Sequence, residues 1–295
     1  MSIKLIVSDM DGTLLNENLK ITNRAAEAIV AAQSAGIEFA IATGRTVESG
    51  YSFIQDKGIV SPFIELNGAR LFNEEGEVQF TRKIERMDLS ELFQLIDYYK
   101  LDHEVITQNG SYSSNTPEEQ FEAYKGIFRD INKSISEEEL TNYVIDYMKN
   151  FKINRVKDLN FLIDDMDTEV LKILFNSHDK PEIFGEIKKE INKTSNNLIV
   201  TSASNFNLEV NHSDANKGQA VSDFSKMRGY RPDQVITIGD NINDLTMLEW
   251  ADHSYAVANA HKQAKKAATY LAPSHQDDAV AKIIQKVLNG SDLAF

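Results

Sequence analysis

Short apolar runs alternate with amphipathic stretches through the N-terminal part of the chain. Residues 3–8 are mostly apolar and run straight into a polar turn containing Gly12, the pattern of a buried parallel strand that ends in a loop. Thr22 can cap a helix whose apolar positions, Ala25, Ala26, Ile29, Val30 and Ala32, recur at helical spacing, and Gly36 stands where a left-handed cap would close it. A strand over 38–42 completes a strand–helix–strand unit, and a helix over 47–57, Gly58 and a strand over 63–66 repeat it loosely. Such alternation predicts a parallel sheet with helices on both faces. Near Arg70 the pattern changes, because Leu71-Phe72 and Val78-Gln79-Phe80 flank the polar run 73–77 and predict a hairpin.

From 83 to 211 the rhythm weakens. Helical patterns at 89–100, 118–129, 136–149 and 181–192 mix with strand-like runs at 103–107, 170–175, 197–203 and 206–210, which reads as an inserted α+β domain. After Asn211 the alternation resumes: helix 216–228, strand 234–238, helix 243–250, strand 254–257, helix 261–268, a short strand near Tyr270 and a helix over 277–289. One sheet is therefore expected from both ends of the chain, 1–82 with 212–295, around an insertion over 83–211.

Composition narrows the function classes. The 295 residues are 42% hydrophobic and 26% charged, near the globular average and without a repeat. Forty-five acidic residues against 31 basic ones give a formal charge of -14, which opposes nucleic acid and anionic lipid as partners. Any phosphate site must then supply its own positive charge. The absence of Cys excludes disulfides, thiolate metal sites and thiol nucleophiles, and fits a reducing compartment. Leu5-Ile6-Val7 is too short for a signal segment and no apolar stretch is long enough to span a bilayer, so a cytoplasmic protein without a membrane partner is expected. The acidic stretch 118–139 reads as a solvated helical face, and no oligomeric state follows from the sequence.

In open α/β sheets ligands bind beyond the carboxyl ends of the strands, so the loops there are the candidates. Asp9-Met10-Asp11-Gly12-Thr13 follows the first predicted strand, Thr43-Gly44-Arg45 the second, and 239–244 the first strand after the insertion. Two carboxylates two residues apart can divide labour, Asp9 attacking a phosphorus and Asp11 moving the proton of the leaving oxygen. Asp240, Asn243 and Asp244 put three oxygen-bearing side chains on one turn, as a hard cation needs, although a helix cap would use the same residues. With Asp9 and Asp11 nearby, repulsion among carboxylates makes a divalent cation the natural counter-charge. Taken alone, Thr43-Gly44 reads as an ordinary turn and Lys217 as a solvated lysine; beside the other loops they become phosphate contacts. The six histidines show no metal-ligand spacing, and Trp250 and the aromatics at 151, 161, 175 and 184 read as core. Neither a dinucleotide fingerprint nor a P-loop follows the first strand.

Taken in order, Asp9-Met10-Asp11-Gly12-Thr13, Thr43-Gly44-Arg45, Lys217-Gly218 and Gly239-Asp240 with Asn243-Asp244 resemble the four motifs of the haloacid dehalogenase superfamily. Leu66-Asn67-Gly68-Ala69, Glu209, Met247-Leu248 and Ala258-Asn259-Ala260 resemble its Cof-type branch, with Met10 and Val257-Ala258-Asn259 as small departures from that pattern. The resemblance implies an α/β fold, a Rossmann-like doubly wound parallel sheet core with an inserted α+β cap of class II subclass B. It also implies a Mg²⁺-dependent phosphatase acting on a small phosphorylated metabolite, with a sugar phosphate as the expected class. Asp9 would be nucleophile and metal ligand, Asp11 acid/base with its backbone carbonyl on the metal, Asp240 a further ligand, and Asp244 a support acting through the metal's waters. Met10, Thr43, Gly44, Lys217 and Asn243 would hold the phosphoryl group. A phosphomutase or phosphotransferase of the same superfamily and a non-catalytic regulatory protein on this scaffold are the alternatives.

Overall fold

The computed structural model describes residues 2–131, 135–150, 152–177, 180–201 and 206–295. Phe151, His178 and the end of the predicted strand 197–203 lie outside them. The chain divides into two compact units, Met1–Arg82 with Asp214–Phe295, and Lys83–Ser213.

Fourteen strands occur among the described residues. The first five are β1 (Leu5–Ser8), β2 (Glu38–Ala42), β3 (Phe63–Glu65), β4 (Arg70–Phe72) and β5 (Val78–Thr81). The second unit holds β6 (Asp102–Thr107), β7 (Gly110–Ser113), β8 (Ile153–Arg155), β9 (Val170–Asn176), β10 (Leu198–Thr201) and β11 (Asn207–His212). The last three are β12 (Val235–Gly239), β13 (His253–Ala256) and β14 (Tyr270–Leu271).

In the first unit the order is β14-β13-β12-β1-β2-β3-β4-β5. The strands from β14 to β3 are parallel, and β4 and β5 add an antiparallel hairpin. β1 is central, with Leu5 opposite Val235 on one side and Glu38 on the other. Because side chains alternate across a strand, Ile6 joins Phe39, Ile236 and Ile238 beneath helices Asn23–Ser34 and Ala279–Leu288. Leu5 and Val7 join Ala40, Ile64 and Val235 on the opposite side, against Val221 and Phe224 of helix Lys217–Arg228. This two-sided burial is why β1, β2 and β12 read as nearly continuous apolar runs. It also places the polar residues just after them at one end of the sheet.

The second unit is a six-stranded sheet, β10-β11-β9-β6-β7-β8, antiparallel except for β7 with β8. Phe93 and Ile96 of helix Arg86–Tyr99 and Ile187 and Ile191 of helix Phe184–Thr194 pack with Val105, Ile173, Phe175 and Val210 in its core. Helices Pro117–Ile131 and Glu137–Asn150 form a small cluster of their own around Tyr124, Leu140 and Val144.

The structure departs from the sequence-based elements in several places. The helix expected over 47–57 ends at Tyr51, and the chain then turns as far as Gly58. β7 and β8 are short, polar and half-buried, so neither carries the apolar alternation that marks a strand. Phe161 is exposed rather than core, lying edge-on to Tyr112 at 5.5 Å, whereas Phe175 and Phe184 are buried as expected. No helix among the described residues is long and apolar enough to cross a membrane.

Candidate active site

β1 ends at Ser8, and Asp9 follows with its N–H bonded to the Ile238 carbonyl of β12 at 2.8 Å. The chain then reverses through Met10–Leu14 in a tight turn where Gly12 adopts φ 78°. A Cβ on Gly12 would stand 2.5 Å from Asp240 Oδ2, so both the turn and the approach of Asp240 require glycine. From the loop after β13, Asn259 Nδ2 donates to the Gly12 carbonyl at 2.8 Å while its Oδ1 accepts from His275 N–H at 3.1 Å. The turn that follows Asp9 is thereby tethered at its bend.

Lys217 opens its helix behind Asn216, whose side chain caps Gln219 N–H at 2.9 Å. It is fully buried, contrary to what its type alone suggests, and its Nζ donates to Asp9 Oδ1 and to Asp244 Oδ1 at 2.6 Å each. The other oxygen of Asp244 accepts from the N–H groups of Asp240 and Asn241 at 2.8 and 2.9 Å. Asp244 is thus a loop cap and an ion-pair partner at once. Asp9, Asp240 and Asp244 each bring a carboxylate oxygen within 4.8 Å of the others.

Three carboxylates around one ammonium leave an excess of negative charge. Burial, reinforced by Asp244 and Asp240, holds the Asp9 carboxyl well above its usual range despite Lys217. Burial and then Asp244 push Asp240 up to about 7. Burial works against the Lys217 cation, but Asp244 and Asp9 outweigh it and keep its pKa above the usual value. A set of three carboxylates with oxygens this close together fits a hard divalent cation.

The remaining candidates form a second group. Asp11 turns its carboxylate to Arg45, which grips both oxygens, Nε to Oδ2 at 2.7 Å and Nη2 to Oδ1 at 2.6 Å. Thr43 is buried at the end of β2, and its hydroxyl accepts from Arg45 N–H at 3.2 Å. The Met10 side chain is buried in the core. Asn243 donates through Nδ2 to Asn67 Oδ1 at 3.0 Å. Glu209 lies in the other unit, paired with Lys172 at 2.7 Å. The structure therefore gathers Asp9, Lys217, Asp240 and Asp244 directly, links Asn243 to the Thr43 turn through Asn67, and pairs the Asp11 carboxylate with Arg45. Individual roles for Arg45, Asn67 and Asn259 escape a reading of the residues; their quoted motifs are the signal that could have pointed to them.

The family model for haloacid dehalogenase-like hydrolases matches residues 6–284. The 5-amino-6-(5-phospho-D-ribitylamino)uracil phosphatase YwtE of Bacillus subtilis is 28% identical over 291 residues, spanning 98% of this chain and 99% of its own. A haloacid dehalogenase-like hydrolase of B. subtilis, known by its structure, is similar with a TM-score of 0.82 at 25% identity, covering 96% of this chain and 99% of that one. A sugar phosphatase of haloacid dehalogenase subclass IIB is similar in fold, with a TM-score of 0.74 at 20% identity over 96% and 98% of the two chains.

Proposed function

The chain belongs to the haloacid dehalogenase-like hydrolase family and is a phosphoric monoester hydrolase, and from that premise we propose how it works and on what. It hydrolyses a small phosphorylated metabolite with the help of Mg²⁺, through a phosphoryl group carried on Asp9. The observation that carries this reading is the buried Lys217 ammonium, held 2.6 Å from both Asp9 and Asp244. A fixed cation beside a nucleophilic carboxylate is what an anionic substrate needs from a protein of net charge -14.

Asp9 attacks the phosphorus in line, forming the bond from its carboxylate oxygen to phosphorus as the bond to the leaving oxygen breaks. Asp11 gives that oxygen a proton and then takes one from the water that cleaves the aspartyl phosphate, releasing inorganic phosphate. Lys217, Asn243, the Thr43 hydroxyl and the N–H groups of Met10 and Gly44 hold the phosphoryl oxygens. The Asp9 and Asp240 carboxylates and the Asp11 carbonyl would hold Mg²⁺, with Asp244 behind its waters, and the ion would neutralise charge on the phosphoryl oxygens.

The inserted unit, 83–213, would choose the substrate. A sugar phosphate is the expected class, and the ribitylaminouracil phosphate named for YwtE is a second candidate of similar polyol character. Phosphate release should be measured over sugar phosphates, nucleotides, pyridoxal phosphate, flavin mononucleotide and that uracil, with Mg²⁺ and with chelator. Asp9→Asn should abolish release and the acid-stable phosphoryl adduct seen by mass spectrometry on quenched enzyme. Normal turnover by that variant would refute the nucleophile assignment.

A further inference from the structure

Between β3 and β4 the chain passes through three consecutive left-handed residues, Leu66 (φ 49°), Asn67 (φ 61°) and Gly68 (φ 104°). Side chains resist that region, asparagine less than most, so such a run persists only where its surroundings hold it. The candidate active site does so. Leu66 N–H donates to the Arg45 carbonyl at 3.1 Å and Asn67 N–H to the Thr43 carbonyl at 2.9 Å, clasping both ends of the Thr43-Gly44-Arg45 turn. Asn67 Oδ1 accepts from Asn243 Nδ2, and a Cβ on Gly44 would stand 3.2 Å from that same oxygen. At Gly68 a Cβ would come within 2.6 Å of the Asn216 carbonyl, immediately before Lys217. Arg82 Nη1 bonds the Gly68 carbonyl at 2.9 Å and so supports the loop from behind. One loop therefore touches the Thr43 turn, the start of the Lys217 helix and the Asn243 turn.

We propose that Asn67 is a positioning residue for phosphoryl binding, orienting the Asn243 amide with its side chain and the Thr43-Gly44 turn with its backbone. The inference rests on the reading of Thr43, Gly44 and Asn243 as phosphate contacts. A side-chain amide has two N–H donors, and Asn67 takes one from Asn243. That fixes the amide plane and the direction of the second donor, which is left for a phosphoryl oxygen. The backbone half of the same residue sets the distance from that donor to the Gly44 N–H, so both loops can address one tetrahedral anion.

Asn67→Gly tests the side chain alone, since glycine keeps the left-handed backbone without strain. The full chain should be compared with Asn67→Gly, Asn243→Ala and the double variant. Calorimetry with inorganic phosphate in saturating Mg²⁺ gives Kd, p-nitrophenyl phosphate turnover gives KM and kcat, and a Mg²⁺ titration gives the activation constant. Asn67→Gly should raise the phosphate Kd and KM by about fivefold to tenfold, as for one lost hydrogen bond, and leave the Mg²⁺ constant within about twofold. The double variant should be no worse than Asn243→Ala, because the side chain at 67 then has no Asn243 amide to orient and glycine keeps the backbone bond to the Thr43 turn. Losses that multiply in the double variant, wild-type behaviour of Asn67→Gly, or a defect confined to Mg²⁺ activation would each overturn the role. Wild-type protein that releases no phosphate from any monoester would instead overturn the phosphatase mechanism beneath it.

Discussion

Replacing Lys217 by Met removes the ammonium while keeping nearly the same length of side chain in a fully buried position. In the native protein each of its two contacts is 2.6 Å long. At an effective dielectric of about 20, one such pair attracts by roughly 6 kcal/mol. Desolvating an ion costs several kcal/mol, so the intact arrangement of three ions contributes little net stability. The variant exposes the imbalance: two buried carboxylates face each other with no cation between them, a loss of about 3–5 kcal/mol. That loss should depend on pH. Asp9 is already held above its usual value by burial, and without Lys217 its proton affinity rises further. A carboxyl whose folded pKa exceeds its unfolded one contributes stability at low pH and loses it as pH rises through the folded value. Lys217→Met should therefore be nearly as stable as the native chain at pH 5, and weakest at pH 8 in chelator. Mg²⁺ should restore part of the deficit. Urea unfolding at both pH values, with and without Mg²⁺, measures this, and phosphate-ester turnover should fall by about 10²–10³-fold. A loss below about 1 kcal/mol at pH 8, or one that grows as pH falls, would refute the electrostatic account.

Two further perturbations address the neighbouring groups. Because Asp240 is pushed up to about 7, chiefly by burial and then by Asp244, against a usual 3.8, the metal-free protein should lose stability as pH climbs toward 7. On the proposed ligation by Asp240, Mg²⁺ displaces that proton, and its apparent affinity should drop about tenfold per pH unit below 7; a Mg²⁺-induced thermal shift of equal size at pH 5.5 and 7.5 would count against this. Arg45→Met frees an Asp11 that is partly exposed, so stability should change by less than about 1 kcal/mol. Turnover of alkyl phosphates should nonetheless fall about tenfold more than that of p-nitrophenyl phosphate, whose leaving group needs no proton. An equal decline on both substrates would remove Arg45 from control of the acid.

Much of the core was readable in the sequence because burial on two faces writes itself as apolar runs. Leu5-Ile6-Val7, 38–42 and 235–239 each end in the loop that carries the candidate chemistry. Thr22 caps its helix as its type predicts, accepting from Ala25 N–H at 3.1 Å. Asp244 shows where a residue type underdetermines the outcome: cation ligand and helix cap were the rival readings, and its two oxygens cap the loop and pair with Lys217, a partner the sequence did not indicate. Lys217 shows the opposite failure, since a lysine says nothing local about burial and its partners are 208 and 27 positions away. Asn67 and Asn259 reach partners 176 and 247 positions distant, a range no periodicity reports. β7 and β8 went unread because strand pairing without an apolar face leaves no pattern.

The central place of β1 has a consequence during synthesis. One of its edges is satisfied early by β2, but the other waits for β12, whose first residue is Val235. At ribosomal rates of about 5–20 residues per second, that interval lasts on the order of 10–40 seconds. For that time the strand leading to Asp9 offers an open edge, the kind of surface that recruits other chains. The intervening sequence meanwhile forms a unit with its own core. Whatever shelters the edge of β1 on the ribosome, whether a chaperone or provisional local packing, governs how much newly made chain survives to become enzyme.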